Sequence, residues 1–310
     1  MKVILLDDFH RIINDTLKKW NFEVIDGRGF TTEDIKNHLD INGIFIRSSI
    51  PLNATLLSQF KYLKFIARPG AGLENIDLNY CQQADIRVFR SPEGNRDALA
   101  EHTMGMILSL LNNINSANTE VKNGVWLREE NRGIELNGKV FALIGYGFMG
   151  EALARRLSGF DVQVIAFDKY KSNFSDPYVK EVDMNYIFNN ADFVSLHTPQ
   201  SYETKKLVNS TFINSFKKPF FLINTARGQS VVLEDLLKGI ENKKIKGACL
   251  DVMELESPSF ERFSYTDDPT FKSLAQYKNV IFTPHIAGWT QESKEKMALV
   301  ILDKIKKMNK

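Results

Sequence analysis

Short apolar runs alternate with amphipathic stretches along nearly the whole chain. Residues 2–6, 43–47, 64–67 and 86–89 read as buried strands with helical periodicity between them. Such alternation predicts crossover units on a parallel sheet, and so an α/β protein. The pattern pauses at Ser91-Pro92-Glu93-Gly94-Asn95, a turn-rich junction, and a long helix then begins near Arg96, carrying Met104, Ile107, Leu108, Leu110 and Leu111. A second alternating series follows at 139–144, 162–167, 193–197, 220–224, 246–250 and 280–283. Six strands are what a complete doubly wound domain needs. Residues 291–307 are again amphipathic, and a final helix here is expected to return to the first domain.

The length of 310 residues accommodates two domains of ordinary size, and 43% hydrophobic with 25% charged residues is the composition of a globular chain. The 40 basic and 38 acidic side chains nearly cancel, so no net field draws the molecule to nucleic acid or to an anionic membrane. The C-terminal Lys304, Lys306, Lys307 and Lys310 read as a solvated last helical turn. Cys81 and Cys249 lack any ligand spacing, which points away from a metal site or a disulfide framework and toward a reducing cytoplasm. Asp7 and Asp8 end the first apolar run too early for a signal peptide or a membrane span.

Gly145-Tyr146-Gly147-Phe148-Met149-Gly150 follows the apolar run 140–144 and opens a helix-compatible stretch. Glycines there permit a tight turn and close approach of backbone to phosphate, while a helix N-terminus supplies N–H groups and a positive dipole end. Asp168 lies 18 residues beyond Gly150, at the end of the next strand. Its carboxylate suits ribose hydroxyls and repels a 2′-phosphate, so NAD is expected over NADP, with Lys169 beside it softening the preference. Arg227, Glu256 and His285 stand near the ends of three later strands. A cation for a carboxylate, an acid and a titratable imidazole are together the parts needed for hydride transfer to a 2-keto acid.

The glycine string, His197-Thr198-Pro199, Asn224-Thr225-Ala226-Arg227-Gly228, Asp251-Val252-Met253-Glu254-Leu255-Glu256 and Thr283-Pro284-His285-Ile286-Ala287-Gly288 resemble, in order, the D-isomer-specific 2-hydroxyacid dehydrogenases. The resemblance covers essentially the whole chain. It implies two Rossmann-like doubly wound domains, with an NAD-binding domain at 96–285 inserted into a substrate domain formed by 1–95 and 286–310. It implies that Arg227 grips the substrate carboxylate and carbonyl, His285 exchanges the proton and Glu256 holds the imidazole. It further implies that Phe148 and Met149 offer backbone to the pyrophosphate, and that His197, Thr198, Pro199, Thr225, Ala226, Asp251 and Gly288 line the cofactor. The stretch from Glu256 to His285 is longer than is usual in the family and opens with Ser257-Pro258-Ser259.

In this reading protonated His285 donates to the carbonyl oxygen during reduction, Arg227 polarises the carbonyl, and Glu256 favours the imidazolium. For the substrate, Arg47-Ser48-Ser49 and Arg68-Pro69-Gly70-Ala71-Gly72 follow two strands of the first domain. Arginines suit a second anion, and the N–H groups of Gly70, Ala71 and Gly72 suit a carboxylate or phosphate. The arrangement resembles the phosphoglycerate dehydrogenase branch, which implies interconversion of 3-phosphoglycerate and 3-phosphohydroxypyruvate ahead of serine synthesis. A glyoxylate, hydroxypyruvate or phosphoerythronate-type dehydrogenase is the alternative, and an NAD-sensing corepressor-like binding protein is the alternative of another class. No room is expected for an appended amino-acid-sensing domain. The helix from Arg96, with Asn123-Gly124-Val125-Trp126, reads as core or dimer interface, and the resemblance tips it to a homodimer. Glu101 and His102, adjacent on one helix, read as interface or domain-linking groups.

Overall fold

The structure, a computed structural model, describes residues 1–256 and 267–308. The run Ser257-Pro258-Ser259 and Lys310 lie outside the described residues. The chain divides into two compact units, one made of Met1–Arg96 and the residues from Trp289 onward, the other running from Asp97 to Gly288.

The first unit holds five parallel strands, β1 (Lys2–Leu5), β2 (Glu23–Asp26), β3 (Gly43–Phe45), β4 (Phe65–Arg68) and β5 (Arg87–Arg90), in the order β2-β1-β3-β4-β5. Successive side chains point to opposite faces, so each short apolar run feeds two cores. Ile4, Ile44 and Ile66 join one cluster, while Val3, Phe45, Phe65 and Ala67 join the other. The second face is closed by Ala298, Ile301, Leu302 and Ile305 of the helix Gln291–Met308. This helix passes so close to Gly94 that a Cβ there would stand 2.5 Å from the Met297 nitrogen.

The second unit holds β6 (Val140–Ile144), β7 (Gln163–Phe167), β8 (Lys180–Glu181), β9 (Phe193–Leu196), β10 (Phe220–Asn224), β11 (Ile245–Leu250) and β12 (Val280–Phe282). All are parallel, in the order β12-β11-β10-β9-β6-β7-β8. Phe141, Phe193 and Phe221 stack across three strands, with centroids 5.4 and 4.8 Å apart, and anchor one face. The chain winds outward from β6 through β7 to β8, then restarts at β9 on the other side of β6. Ligands in open α/β sheets bind outside the carboxyl ends at such a reversal.

The observed elements differ from the sequence expectation in three places. β2 is added at the edge of the first sheet, where Glu23-Val24-Ile25-Asp26 has only two apolar residues. β8 is added at the edge of the second and is two residues long. The long helix begins at Pro92 rather than near Arg96, because the proline occupies the first turn, where its missing N–H costs nothing. Its Met104, Met106, Ile107, Leu110 and Leu111 are buried in the second unit's core, as the core reading of this stretch expects. No helix among the described residues is long and apolar enough to cross a membrane.

Candidate active site

Three glycines shape the turn between β6 and the helix Phe148–Leu157, each for a different reason. Gly145 has φ +96°, and a Cβ on it would meet the His197 carbonyl oxygen at 2.7 Å; a Cβ on Gly150 would meet the Gly145 oxygen at 2.5 Å. Around Gly147 nothing lies within 4 Å, so backbone is bare toward open space at the helix start. The first N–H groups of a helix have no intrahelical acceptor and carry the positive dipole end. Beside them, Thr198 Oγ1 and His197 Nδ1 are buried without a hydrogen-bond partner. An open cradle of donors and an orphaned hydroxyl at the sheet reversal fit the pyrophosphate of a dinucleotide.

Asp168 stands at the end of β7. Its Oδ2 accepts the Tyr146 N–H at 2.8 Å and its Oδ1 accepts those of Tyr170 and Lys171 at 2.9 and 3.1 Å. The carboxylate thus holds the glycine turn and its own loop while keeping acceptor capacity on Oδ2. His197 Nε2 lies 2.9 Å from Ser195 Oγ, and burial pushes the imidazole down to about 4, so the ring is neutral. The Pro199 carbonyl accepts a bond from Thr204 Oγ1 at 2.7 Å.

Past β10, Thr225 is buried against Thr103, and the Ala226 N–H is committed to Asn224 Oδ1 at 3.1 Å. Arg227 is half-buried, with Nη1 donating to the Ala226 oxygen at 2.6 Å and its own carbonyl fixed by the Asn224 amide. The next residue must be glycine, since a Cβ on Gly228 would sit 1.9 Å from the Met253 oxygen. That packing joins the Arg227 turn to the segment after β11.

There the Met253 N–H donates to Glu256 Oε1, and Glu256 Oε2 lies 2.7 Å from His285 Nδ1. Glu254 faces elsewhere and accepts the Leu233 N–H at 3.0 Å. His285 adopts a left-handed backbone, φ +56°, unusual for a residue with a side chain. Asp251, 1% exposed, holds it there: Oδ1 accepts from Thr283 Oγ1 at 2.6 Å and Ile286 N at 2.9 Å, Oδ2 accepts from Ala287 N at 2.9 Å, and its carbonyl takes the His285 N–H. Gly288 closes the turn.

His102 belongs to this network. Its Nε2 lies 3.1 Å from Thr283 Oγ1 and 3.7 Å from Asp251. In the sequence Glu101 and His102 are simply neighbours on one helix. No local signal couples His102 to Thr283, 181 residues away. Glu101 turns instead to Arg156 at 3.4 Å.

In the first unit, Arg47 lies over the Trp289 ring, 4.1 Å from its centroid, beside a hollow of about 220 Å³ that Phe9, Ile13 and Pro69 also line. The Arg47 N–H and Ser49 Oγ both donate to Asp7, and Arg68 Nε donates to the Arg47 oxygen at 3.2 Å, so the loops after β3 and β4 are tied together; Ser48 lies within the first of them. Gly70 departs from the expected role. Its N–H already donates to Ser91 Oγ at 3.0 Å, the Arg68 guanidinium occupies the space a Cβ would need, and the Ala71 oxygen receives Arg90. The Gly70 N–H is thus not open to an anion.

Residues 104–287 match the model of the D-isomer specific 2-hydroxyacid dehydrogenase NAD-binding domain. The chain is 33% identical over 266 residues to a hydroxypyruvate reductase of Thermotoga maritima, covering 86% of this chain and 84% of that one. It is 32% identical to a D-3-phosphoglycerate dehydrogenase of Archaeoglobus fulgidus, covering all of this chain but only 58% of the relative's length. The structure of a D-lactate dehydrogenase from Aquifex aeolicus, complexed with NAD and lactic acid, superposes with a TM-score of 0.84 at 27% identity over 99% of this chain and 95% of that one. With the cofactor cradle and the Glu256–His285 pair, these likenesses establish that the chain belongs to the D-isomer specific 2-hydroxyacid dehydrogenases, oxidoreductases that use NAD.

Proposed function

We propose that this protein interconverts 3-phosphoglycerate and 3-phosphohydroxypyruvate, with Arg227, Glu256 and His285 as its catalytic residues. The observation that carries the chemistry is the 2.7 Å contact between Glu256 and His285, made by a carboxylate that is itself fixed by the Met253 N–H. Bound NAD supplies the hydride acceptor and NADH the donor. In reduction, His285 Nε2 gives its proton to the carbonyl oxygen; in oxidation, the neutral ring removes it from the hydroxyl. Glu256 fixes the tautomer and orientation by holding Nδ1, and Arg227 binds the carboxylate while opposing the negative charge that builds on oxygen. We assign to the cofactor the N–H groups of Gly147, Phe148, Met149 and Gly150, the Asp168 carboxylate and the Thr198 hydroxyl.

Arg47 and Arg68 are assigned to the substrate's second anion. Support comes from their linked loops and from the relative named D-3-phosphoglycerate dehydrogenase. The relative named hydroxypyruvate reductase favours a second reading, in which the unphosphorylated keto acid is the substrate. Steady-state kinetics with 3-phosphohydroxypyruvate and hydroxypyruvate separate them. A kcat/KM at least tenfold higher for the phosphorylated acid, lost in Arg68→Met, is the expected result, and equal efficiency would overturn the phosphoglycerate reading.

We also infer a cytoplasmic homodimer, the product feeding serine synthesis. Ile114, Val121, Val125, Leu127, Ile134 and Trp126, the last 76% exposed, form an apolar stretch next to the core helix. Cys81 and Cys249 are buried and free, as a reducing compartment allows. Light scattering of parent and Trp126→Glu is the test: a dimer that the variant weakens is expected, and a monomeric parent would refute it.

A further inference from the structure

Glu203 joins two loops that leave the second sheet on opposite sides of β6. One loop, Asp168-Lys169-Tyr170-Lys171, follows β7; the other, from His197 to Lys206, follows β9. Since the sheet runs β9-β6-β7, any bond between them passes over the carboxyl end of β6, two strand spacings of ~4.8 Å across. Two such bonds exist. Lys169 Nζ donates to Glu203 Oε1, and the Tyr170 hydroxyl donates to Glu203 Oε2 at 2.6 Å. They bridge the mouth above the glycine turn, on the side where the function proposed above, on which this inference rests, puts the adenosine ribose at Asp168.

The Glu203 loop is rigidly built. Ser201 and Thr204 cap each other's N–H groups at 2.8 and 3.2 Å, Thr204 Oγ1 donates to the Pro199 oxygen, and the Gln229 carbonyl takes the Lys206 N–H at 2.7 Å. The side chains it brings to Lys169 are nevertheless about half exposed, 56% for the lysine and 45% for the glutamate. A pair so exposed adds little to stability. Its consequence is electrostatic and local. Lys171, the other cation of the loop, is already directed to the Tyr146 oxygen at 2.6 Å. Lys169 is therefore the cation beside Asp168 that is within reach of a phosphate on the ribose, and Glu203 cancels and anchors it.

We propose that Glu203 is a cofactor-selectivity residue, which withholds the Lys169 ammonium from an adenosine 2′-phosphate, so that rejection of NADP rests on Asp168 and Glu203 together. Asp168 and Glu203 balance Lys169 and Lys171, and Glu151, 3.6 Å from Lys171, adds a further negative charge; Glu203→Gln removes one negative charge at the same side-chain length and no longer offsets Lys169. A freed ammonium facing a phosphate near the surface is enough for a change of about tenfold.

The test is calorimetric titration of parent, Glu203→Gln and Glu203→Gln/Lys169→Met with adenosine 5′-monophosphate and adenosine 2′,5′-bisphosphate, alongside kcat and KM for NADH and NADPH. Glu203→Gln is expected to tighten the bisphosphate about tenfold relative to the monophosphate and to lower the KM for NADPH, with kcat for NADH unchanged. The double variant is expected to return both ratios to those of the parent. An unchanged bisphosphate ratio in Glu203→Gln, or a relaxed ratio that persists in the double variant, would overturn the proposal. A parent that binds neither nucleotide would instead refute the assignment of this mouth to adenosine.

Discussion

Asp251→Asn changes one buried atom and tests how His285, to which we assign the proton transfer, is held. The parent carboxylate accepts one O–H and two backbone N–H groups, at 2.6, 2.9 and 2.9 Å. An asparagine keeps the shape but turns one oxygen into a donor. In its better orientation the new NH₂ faces the Ala287 N–H, and the Thr283 and Ile286 bonds survive. One charge-assisted bond, worth ~1.5–3 kcal/mol, is lost, and a buried donor is left unsatisfied at a further ~1–3 kcal/mol. Against this, the left-handed backbone of His285 costs ~1–2 kcal/mol to maintain. The loss therefore matches or exceeds the strain that Asp251 restrains, and His285 relaxes out of reach of Glu256. Displacement of a reacting group by ~1 Å costs about 10²-fold in rate. We expect kcat for keto-acid reduction to fall by about that factor and the melting temperature to drop by roughly 5–10 °C. Stopped-flow turnover and thermal unfolding measure the two. A variant with parent kcat and parent melting temperature would show that Asp251 does not hold the His285 turn.

Three further substitutions probe separate parts of the account. Arg227→Lys keeps the charge but not the planar fork, and kcat/KM should fall by at least about 10²-fold; near-parent kinetics would remove Arg227 from the site. Gly228→Ala places a methyl 1.9 Å from the Met253 oxygen and so displaces the residue whose N–H holds Glu256, predicting both a loss of stability and a loss of activity; an active variant with unchanged melting would contradict that packing. His197, held down at about 4, is neutral in the fold while the unfolded ring protonates near 6.5, so stability is full above 6.5 and lost as pH falls toward 4, by up to about 3 kcal/mol. Urea midpoints of His197→Gln should vary less over that window than those of the parent, and equal slopes would refute the burial argument.

How much of this was legible in the sequence depended on how local the cause was. Strands such as 140–144 and 220–224 were readable because both faces of a buried parallel strand are apolar, which leaves a continuous run. β2 and β8 escaped because edge strands need little apolar sequence: Glu23 and Asp26 bracket only two buried-type residues. The GxGxxG turn and Asp168 were visible as a fixed spacing, and the structure supplied the separate reason for each glycine. The three motifs bearing Arg227, Glu256 and His285 were readable one by one, but the coupling among them was not, because Gly228 meets Met253 and Asp251 meets Ala287 only after folding. His102 and Glu203 were hidden for the same reason, each partner lying on a different strand end. Gly70 illustrates the opposite error: its local sequence suited an anion nest, yet a serine 21 residues away takes its N–H.

We assign the proton transfer to His285, oriented by Glu256, and cofactor binding to other residues. His285→Gln, measured for NADH binding by fluorescence titration and for keto-acid reduction by loss of NADH absorbance, tests it most directly. In His285→Gln kcat should fall by about 10²–10⁴-fold, with NADH affinity within a few-fold of the parent. Reduction within tenfold of the parent rate would contradict it.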